Sequence, residues 1–265
     1  MTFLEEIVQQ KRAEVQAAQA KVPLDELRER LRGHVTERSF REAITQRGKL
    51  SLIAELKRKS PSKGMLRERF DPVSLAQTLQ EAGASALSVL TDEPYFGGHL
   101  DFLRDVKQFT DIPVLRKDFT IDAYQVYESA FHQADAVLLI VRILTDQLLR
   151  ELLSIAHTLG LEALVEVHAP EELQRATAAG AGVIGINARD LQTFQLQPRL
   201  VEQLVPQIPA GTTIVAESGL ETAQDLARMQ QLGVQAVLVG EAIMTAPNPK
   251  AKVQELLGGV KKGTV

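Results

Sequence analysis

The 265-residue sequence has no cysteine and no tryptophan, and aromatic residues make up only 5% of it. Without cysteine it can form no disulfide, no thiolate metal site and no cysteine nucleophile. Any catalytic chemistry must therefore use carboxylates, amines, hydroxyls or imidazoles. The absence of tryptophan excludes no class of function by itself.

The sequence also lacks an excess of positive charge and any long apolar run. Lys and Arg number 30 against 34 Asp and Glu, which gives a formal net charge of −4, whereas proteins that bind nucleic acid usually present a basic surface. No apolar run reaches the roughly 18 to 20 residues that a membrane-spanning helix needs. The amino end, MTFLEEIVQQKRAEVQAAQA, is amphipathic and does not resemble a secretory signal. We therefore expect no nucleic-acid partner, no membrane span and a cytoplasmic location.

The part of the sequence before Lys49 has helical periodicity and no strand pattern. Apolar residues recur at helical spacing from Leu4 onward, with charged residues between them. A break at residues 22–24 separates a first helix from a second, for which Asp25 is the predicted N-cap. Residues 1–48 are therefore predicted to form a helical extension.

The rest of the sequence alternates short apolar runs with stretches of helical periodicity. The runs are rich in Val, Ile and Leu and are continuous enough to be buried on both faces, as in a parallel sheet. The eight runs begin at Leu50, Ala86, Ile112, Ala134, Leu161, Gly182, Thr212 and Gln235. Eight such units predict a (β/α)8 TIM barrel over residues 49–265, with the helical extension packed on it. The alternative is an open doubly wound sheet, but the turn after the first run reads KRKSPS and lacks the usual G-x-G-x-x-G loop.

Catalytic groups of such a barrel lie where its strands end and in the loops that follow. The first run ends with Glu55 and Lys57, which are two residues apart and share a face of the strand. Buried charges are costly unless they are paired or functional, so these residues form either a structural ion pair or part of a site. Lys59 and Ser60 follow in the next turn.

Two further strands carry a charged residue on an otherwise apolar face. Lys117 shares a face with Phe119 and is a candidate general acid or Schiff-base amine, because burial is expected to lower its pKa. The alternatives are a lysine that reaches solvent or pairs with Asp118. Glu166 shares a face with His168 and is either structural or the partner of an inward lysine in acid–base chemistry.

The last three strands end in polar and small residues. Asn187 and Arg189 follow the sixth strand, and a guanidinium binds carboxylates in a bidentate manner, which suggests a substrate with a carboxylate. Glu217, Ser218 and Gly219 follow the seventh strand and Gly240 and Glu241 the eighth, where barrels commonly bind phosphate. Residues 95–98 are predicted to form a glycine-rich loop. The histidines lack the spacing of metal ligands, so no metal is predicted; they are His34, His99, His132, His157 and His168.

Seven strings of the sequence resemble the indole-3-glycerol phosphate synthase family of tryptophan biosynthesis. They occur in the family's order and spacing and are IAELKRKSPSKG, LTDEPYFGG, VLRKDF, ALVEVH, IGINARDL, VAESGL and VLVGEAIM. The resemblance implies a TIM barrel whose amino-terminal helices help to cover the active site. It also implies a small phosphorylated substrate, 1-(2-carboxyphenylamino)-1-deoxyribulose 5-phosphate, whose indole ring is closed with loss of carbon dioxide and water. It implies no cofactor and no metal, and leaves association with other tryptophan-pathway enzymes open.

The resemblance also implies roles for individual residues. Lys117 matches the general acid, Glu166 the partner for proton transfer in the dehydration, and Lys57 and Glu55 assisting groups; which lysine acts at which step stays open. The substrate-binding positions are Ser60, Asn187 and Arg189 for the anthranilate part, Phe96 and Phe119 for aromatic contact, and Glu217 and Leu238 for the remaining pocket. The phosphate-binding positions are Lys59, Ser218, Gly219, Gly240 and Glu241, the last through its backbone.

Two other functions fit some of the same residues. A phosphate-binding barrel that forms a Schiff base at Lys117, as an aldolase does, would yield a covalent adduct with borohydride in the presence of substrate. A noncatalytic ligand-binding barrel fits less well, because the sequence contains both the acid and the base.

Overall fold

Eight parallel strands close into a barrel in the computed structural model, which describes residues 2–33, 36 and 38–259. In chain order the strands are β1 (Ser51–Leu56), β2 (Lys59–Ser60), β3 (Gly64–Met65), β4 (Ala86–Leu90), β5 (Val114–Lys117), β6 (Ala136–Ile140), β7 (Glu162–Val167), β8 (Val183–Asn187), β9 (Thr213–Glu217) and β10 (Ala236–Val239). All except β2 and β3 belong to the barrel. Strand β1 pairs in parallel with both β10 and β4, so the sheet has no open edge. The predicted TIM barrel is confirmed, and the open doubly wound sheet is excluded.

Helices precede the barrel and alternate with its strands. They are α1 (Phe3–Lys21), α2 (Leu24–Arg30), α3 (Phe40–Ile44), α4 (Pro72–Glu81), α5 (Glu93–Phe96), α6 (Asp101–Phe109), α7 (Ala123–Phe131), α8 (Asp146–Thr158), α9 (Pro170–Ala178), α10 (Leu200–Leu204), α11 (Ala223–Gln231), α12 (Glu241–Met244) and α13 (Pro249–Gly258). Short 3-10 turns cover Val141–Ile143 and Val205–Gln207. Among the described residues, no helix has the length and apolar character needed to cross a membrane.

The apolar side chains of each strand alternate between the barrel lumen and the surrounding helices. Leu52 and Ala54 of β1 belong to the core between strands and helices, whereas Ile53 packs with Leu115 and Leu164 in the inner core. Since both faces are buried, the strands need apolar residues at nearly every position. This explains why the sequence shows continuous apolar runs rather than strict alternation.

Helix α1 begins with a capping box and extends across the barrel. The Thr2 side chain accepts from the Glu5 backbone N–H, and the Glu5 side chain accepts from the Thr2 N–H. The apolar face of α1 places Leu4 and Ile7 in the inner core. The extension that precedes the barrel is therefore joined to the same core as the strands.

Two local predictions in the connecting segments are wrong. Asp25 is not the N-cap of α2, because the helix starts directly after Pro23 and Asp25 lies in its first turn, where it pairs with Arg28. Residues 95–98 are not a loop throughout, since Tyr95 and Phe96 complete α5. Asp92 caps this helix by accepting from the Tyr95 N–H at 2.8 Å, and Gly97 ends it with a φ of 64°.

Candidate active site

A cavity of about 130 Å³ opens at the carboxyl ends of the barrel strands. All predicted site residues except Lys59 line it, namely Glu55, Lys57, Ser60, Phe96, Lys117, Phe119, Glu166, Asn187, Arg189, Glu217, Ser218, Gly219, Leu238, Gly240 and Glu241. Lys59 lies in β2, and its Nζ donates to the backbone oxygen of Pro94 at 2.8 Å. Its phosphate-binding role stays a prediction.

The ammonium group of Lys117 lies among carboxylates in this cavity. Lys117 is the last residue of β5, and its Nζ is 3.2 Å from Oε2 of Glu166 and 3.7 Å from Oε2 of Glu217. Burial lowers the pKa of Lys117, but Glu166, Glu217 and Glu55 together raise it above its usual range. The expectation of a lowered pKa is therefore wrong, and the neighbouring carboxylates favour the ammonium form of Lys117.

Lys117 does not pair with its neighbour in sequence, Asp118. The Asp118 side chain points to the other face of the chain, where it contacts Arg116 at 3.2 Å and Lys11 at 2.9 Å. Burial raises the pKa of Asp118, yet these two cations lower it to about 2. The predicted alternative of a Lys117–Asp118 pair is excluded, because adjacent residues of a strand point in opposite directions.

The pKa values of the buried carboxyl groups of Glu166 and Glu217 are shifted in opposite directions. For Glu166, burial raises the pKa, but Lys117 and His168 outweigh it and bring the pKa below its ordinary range. For Glu217, burial and the negative charges of Glu166 and Glu55 raise the pKa to about 8. The two carboxyl groups therefore differ in their tendency to hold a proton, Glu166 less and Glu217 more than an ordinary glutamate, which separates a base from an acid.

Glu55 and Lys57 of the first strand form an ion pair at the edge of the same cavity. The Lys57 Nζ is 2.5 Å from Oε1 of Glu55, and the Glu55 side chain is buried. Glu55 also belongs to the carboxylates that act on Lys117. The pair thus adds a second ammonium group to the site and is not isolated from it.

Polar contacts join the ends of β8, β9 and β10. The Asn187 side-chain oxygen accepts from the Ser218 hydroxyl at 2.7 Å and from the Arg189 backbone N–H at 3.0 Å. The Arg189 guanidinium donates to the Phe194 carbonyl at 3.2 Å and lies 3.4 Å from Glu241. These bonds hold the predicted carboxylate-binding and phosphate-binding positions next to each other.

Aromatic and aliphatic side chains form the apolar wall of the cavity. The rings of Phe96 and Phe119 are 6.2 Å apart, and Leu238 lies with them in the inner core. Leu191 and Phe194 also line the cavity, from the segment after β8, and were not among the predicted site residues. Their signal is visible in the sequence, because two apolar residues interrupt the polar string RDLQTFQ directly after the proposed ligand-binding arginine.

A buried lysine of the amino-terminal helix was also missed. Lys11 is 2% exposed, and its Nζ lies 2.9 Å from both Asp92 and Asp118 and 2.8 Å from Glu14. Asp92 caps the helix that carries Phe96, and Asp118 follows Lys117. Lys11 therefore ties α1 to two segments that line the cavity.

The four histidines in the described part of the chain are not arranged as a metal site. Within residues 2–33, 36 and 38–259, no group of three or more His, Asp or Glu side chains is placed to hold a metal ion. His168 is buried beside Glu166, and His34 lies outside the described residues.

Comparisons with known proteins agree with this arrangement. A family model described as indole-3-glycerol phosphate synthase matches residues 4–256. The synthase of Roseiflexus castenholzii is 45% identical over 265 residues, covering 97% of this chain and 98% of the relative. The synthase of Caldanaerobacter subterraneus subsp. tengcongensis is 45% identical over 259 residues, covering 97% of this chain and 100% of the relative.

Solved structures resemble this chain at the level of the fold. A 3-hexulose-6-phosphate synthase has a TM-score of 0.64 at 17% identity and covers 80% of this chain and 100% of its own. The thiamine phosphate pyrophosphorylase of Pyrococcus furiosus has a TM-score of 0.62 at 19% identity and covers 80% of this chain and 96% of its own. These similarities support the barrel alone, whereas the sequence relatives and the family model extend over nearly the whole chain. The chain therefore belongs to the indole-3-glycerol phosphate synthase family.

Proposed function

We propose that the chain converts 1-(2-carboxyphenylamino)-1-deoxyribulose 5-phosphate into indole-3-glycerol phosphate, carbon dioxide and water, with Lys117 and Glu166 as its central acid and base. Membership of the family makes it a carboxy-lyase of tryptophan biosynthesis. The observation that supports these roles is the buried contact of 3.2 Å between Lys117 Nζ and Glu166 Oε2 in the cavity. We propose the cytoplasm as its location, where a biosynthetic enzyme meets a free sugar-phosphate substrate.

The first chemical step requires an acid at the substrate ketone. The aromatic carbon that carries the carboxylate attacks the ketone carbon, and the Lys117 ammonium donates a proton to the ketone oxygen as the new carbon–carbon bond forms. The carboxylate then leaves as carbon dioxide, and its bonding electrons restore the aromatic ring. A fixed ammonium in a buried site stabilises the developing oxyanion without reorganising solvent.

The second step requires a base and an acid on opposite sides of one bond. The hydroxyl formed from the ketone leaves as water after taking a proton from Lys57, or from Lys117 once solvent has returned a proton to that lysine. Glu166 accepts the proton from the carbon beside the ring nitrogen, and the resulting double bond completes the indole. The lowered pKa of Glu166 keeps it ionised and ready to accept that proton.

The remaining side chains suit the two ends of this substrate. Arg189, with Asn187 and Ser60, provides hydrogen-bond donors for the anthranilate carboxylate, and Phe96 and Phe119 provide the aromatic wall. The turns at Ser218, Gly219, Gly240 and Glu241 line the cavity and offer backbone N–H groups to the phosphate, whereas Lys59 is proposed as a further cation from outside the lining.

The charged state of Lys117 favours this reaction over Schiff-base chemistry. An amine attacks a carbonyl only in its neutral form, and three carboxylates hold Lys117 as an ammonium. Borohydride treatment in the presence of substrate should therefore leave Lys117 unmodified. A trapped adduct on Lys117 would favour the aldolase-like mechanism instead.

We also propose that residues 1–48 act as a cover for the barrel formed by residues 49–265. The ring of Phe3 at the start of α1 packs 5.3 Å from Tyr95 and 5.2 Å from Phe194. Phe194 itself lines the cavity. The first residues of the extension therefore contact the rim of the site.

The direct test is turnover of the carboxyphenylamino sugar phosphate followed by indole fluorescence. The chain contains no tryptophan, so the product signal appears without a background from protein indole. The expected result is fluorescence that grows with enzyme concentration and time. Well-folded protein that gives no indole signal at saturating substrate would contradict the proposed function.

A further inference from the structure

The imidazole of His168 lies between two carboxylates, of which Glu166 lines the cavity. Its Nε2 is 3.2 Å from Oε1 of Glu166, and its Nδ1 is 3.3 Å from Oε2 of Glu172. His168 is 2% exposed, so water does not compete for either nitrogen. Glu166 and His168 are two residues apart on the same inward face, while Glu172 lies on α9.

This placement favours the protonated form of the ring. A neutral imidazole has one N–H donor and one acceptor nitrogen, so it would turn a lone pair toward one of the two carboxylates. An imidazolium carries an N–H at both nitrogens: Nδ1 hydrogen-bonds to Glu172, and Nε2 forms an ion pair with Glu166 at 3.2 Å without hydrogen-bond geometry. Burial lowers the pKa of His168, but the contacts with Glu166 and Glu172 outweigh it and raise the pKa to about 9.

Glu172 is itself held by a chain of charged contacts. Its Oε2 accepts from the His168 backbone N–H at 2.7 Å, and its Oε1 accepts from Nε of Arg142 at 2.7 Å. Arg142 continues to Asp190 at 2.8 Å, and Asp190 accepts from backbone N–H groups of the segment after β8. The second carboxylate of His168 is therefore fixed from two directions and cannot turn away.

The charges that face Glu166 explain why a second cation is needed. Lys117 approaches from β5 and His168 from the end of β7, whereas Glu55 of β1 adds negative charge to the same cluster, which also contains Glu217 of β9. When Lys117 gives its proton to the substrate, its positive charge is lost. His168 then remains as the cation in contact with Glu166.

We propose that His168 is a positioning residue, held as a cation by Glu172, which keeps the carboxylate of Glu166 ionised and oriented while Lys117 transfers its proton. The inference rests on the proposed function for its catalytic meaning. It extends that function by assigning a role to His168, Glu172 and Arg142. Of these three residues, only His168 lies in the family string ALVEVH, which also contains Glu166. His168 does not itself touch the reacting atoms.

Two variants separate the charge of His168 from its packing. His168→Asn keeps a hydrogen-bond donor but removes the cation, and Glu172→Gln keeps the side-chain volume but removes the anion that stabilises the imidazolium. We expect kcat to fall roughly 10- to 100-fold in His168→Asn while KM changes little. The acid limb of its kcat–pH profile should move to higher pH, because Glu166 gains a proton more readily without its cationic neighbour.

The Glu172→Gln variant should change the alkaline limb of the kcat–pH profile. Loss of Glu172 lowers the pKa of His168, so the imidazolium is lost at a lower pH on the alkaline side, and activity should decline there before it does in the unmodified enzyme. His157→Asn is the matched control, because it makes the same substitution at an exposed histidine of α8. It should leave both limbs and kcat unchanged.

An NMR titration of the histidine rings in the substrate-free protein tests the cation without any turnover. The His168 signal, assigned by its disappearance in His168→Asn, should titrate well above the ordinary histidine range and move down in Glu172→Gln. A His168 ring that titrates near about 6.5, or an unchanged acid limb and kcat in folded His168→Asn, would overturn the proposal. Absence of turnover in the unmodified enzyme would instead refute the proposed function, and the titration would still decide the charge of His168.

Discussion

The carboxylate of Glu217 occupies the space that a side chain on Gly185 would fill. The two residues lie on the adjacent strands β8 and β9, and a Cβ on Gly185 would collide with Oε1 of Glu217. The same relationship holds between Gly240 and Glu55, where a Cβ on the glycine would collide with Oε1 of the glutamate. The barrel therefore accommodates two inward carboxylates by placing glycine on a nearby strand.

Gly185→Ala should displace Glu217 and lower both activity and stability. The added methyl group forces the carboxylate away from its position near Lys117, and overpacking of this kind costs about 1–3 kcal/mol in the free energy of unfolding. We expect kcat/KM to fall by roughly 10-fold or more, as for other losses of positioning in a site. Steady-state kinetics and urea unfolding measure the two effects separately.

The control for Gly185→Ala is Gly258→Ala. Gly258 is the last residue of α13, and a Cβ there meets no atom within 4 Å. This change should leave activity unaltered and leave stability equal or slightly higher, by up to about 1 kcal/mol. Full activity in Gly185→Ala would show that the exact place of Glu217 does not matter to the reaction.

Lys117→Ala should abolish turnover while the protein stays folded. The substitution removes the proposed proton donor, and an acid of this kind contributes roughly 100- to 10,000-fold to a rate. The remaining carboxyl groups repel one another less than three anions would, because the raised pKa of Glu217 favours its protonated form. Indole fluorescence measures the rate and circular dichroism the fold.

Lys250→Ala serves as the control for the loss of a lysine. Lys250 pairs with Glu81 at the surface of α13, away from the cavity. It should retain the activity of the unmodified enzyme. Near-normal turnover in Lys117→Ala would remove the general-acid assignment.

Glu166→Gln should reduce kcat strongly with a smaller effect on KM. The amide keeps the size of the side chain but cannot accept the proton of the dehydration step, and loss of a general base lowers rates by roughly 100-fold or more. A stalled dehydration would also let the ring-closed, hydrated intermediate accumulate, which rapid quenching and mass spectrometry can detect. A rate equal to that of the unmodified enzyme would show that Glu166 is structural.

The barrel and most cavity residues could be predicted because they follow from local periodicity. Strands that are buried on both faces give apolar runs. A charged residue that interrupts such a run shares a face with the apolar residue two positions away, as Glu166 does with Leu164. Since a barrel brings all its strand ends together, any inward polar residue near a strand end joins the same cavity. The roles assigned to these residues came from the family resemblance.

The charge state of Lys117 could not be predicted from its own strand. Local reasoning considers burial alone, which lowers a lysine pKa, whereas the carboxylates that reverse the effect come from three other strands. Lys11 is a different case, because its burial could have been predicted from the helical pattern of the sequence. Ile7, Lys11 and Val15 are spaced four residues apart on the buried face of α1, so a lysine stood where the pattern required an apolar residue.

Lys11→Met should destabilise the protein and weaken substrate binding. The methionine fills the buried space of Lys11 but leaves Asp92 without its cationic partner and Asp118 with Arg116 alone. Breaking a buried charge cluster from one side costs about 3–5 kcal/mol in the free energy of unfolding. KM should rise, because Asp92 also caps the helix that carries Phe96.

The destabilisation by Lys11→Met should depend on pH with a definite sign. Burial already raises the pKa of Asp92 against the opposing effect of Lys11, and removing Lys11 raises it further. A carboxyl whose pKa is higher in the folded state costs stability as pH rises through that pKa, so the difference from the unmodified protein should be smaller at about pH 5 than at about pH 7. Urea unfolding at both pH values measures this, with Arg12→Met at the exposed neighbouring position as the control. An equal loss at both pH values would show that Lys11 stabilises α1 by packing and not by its charge.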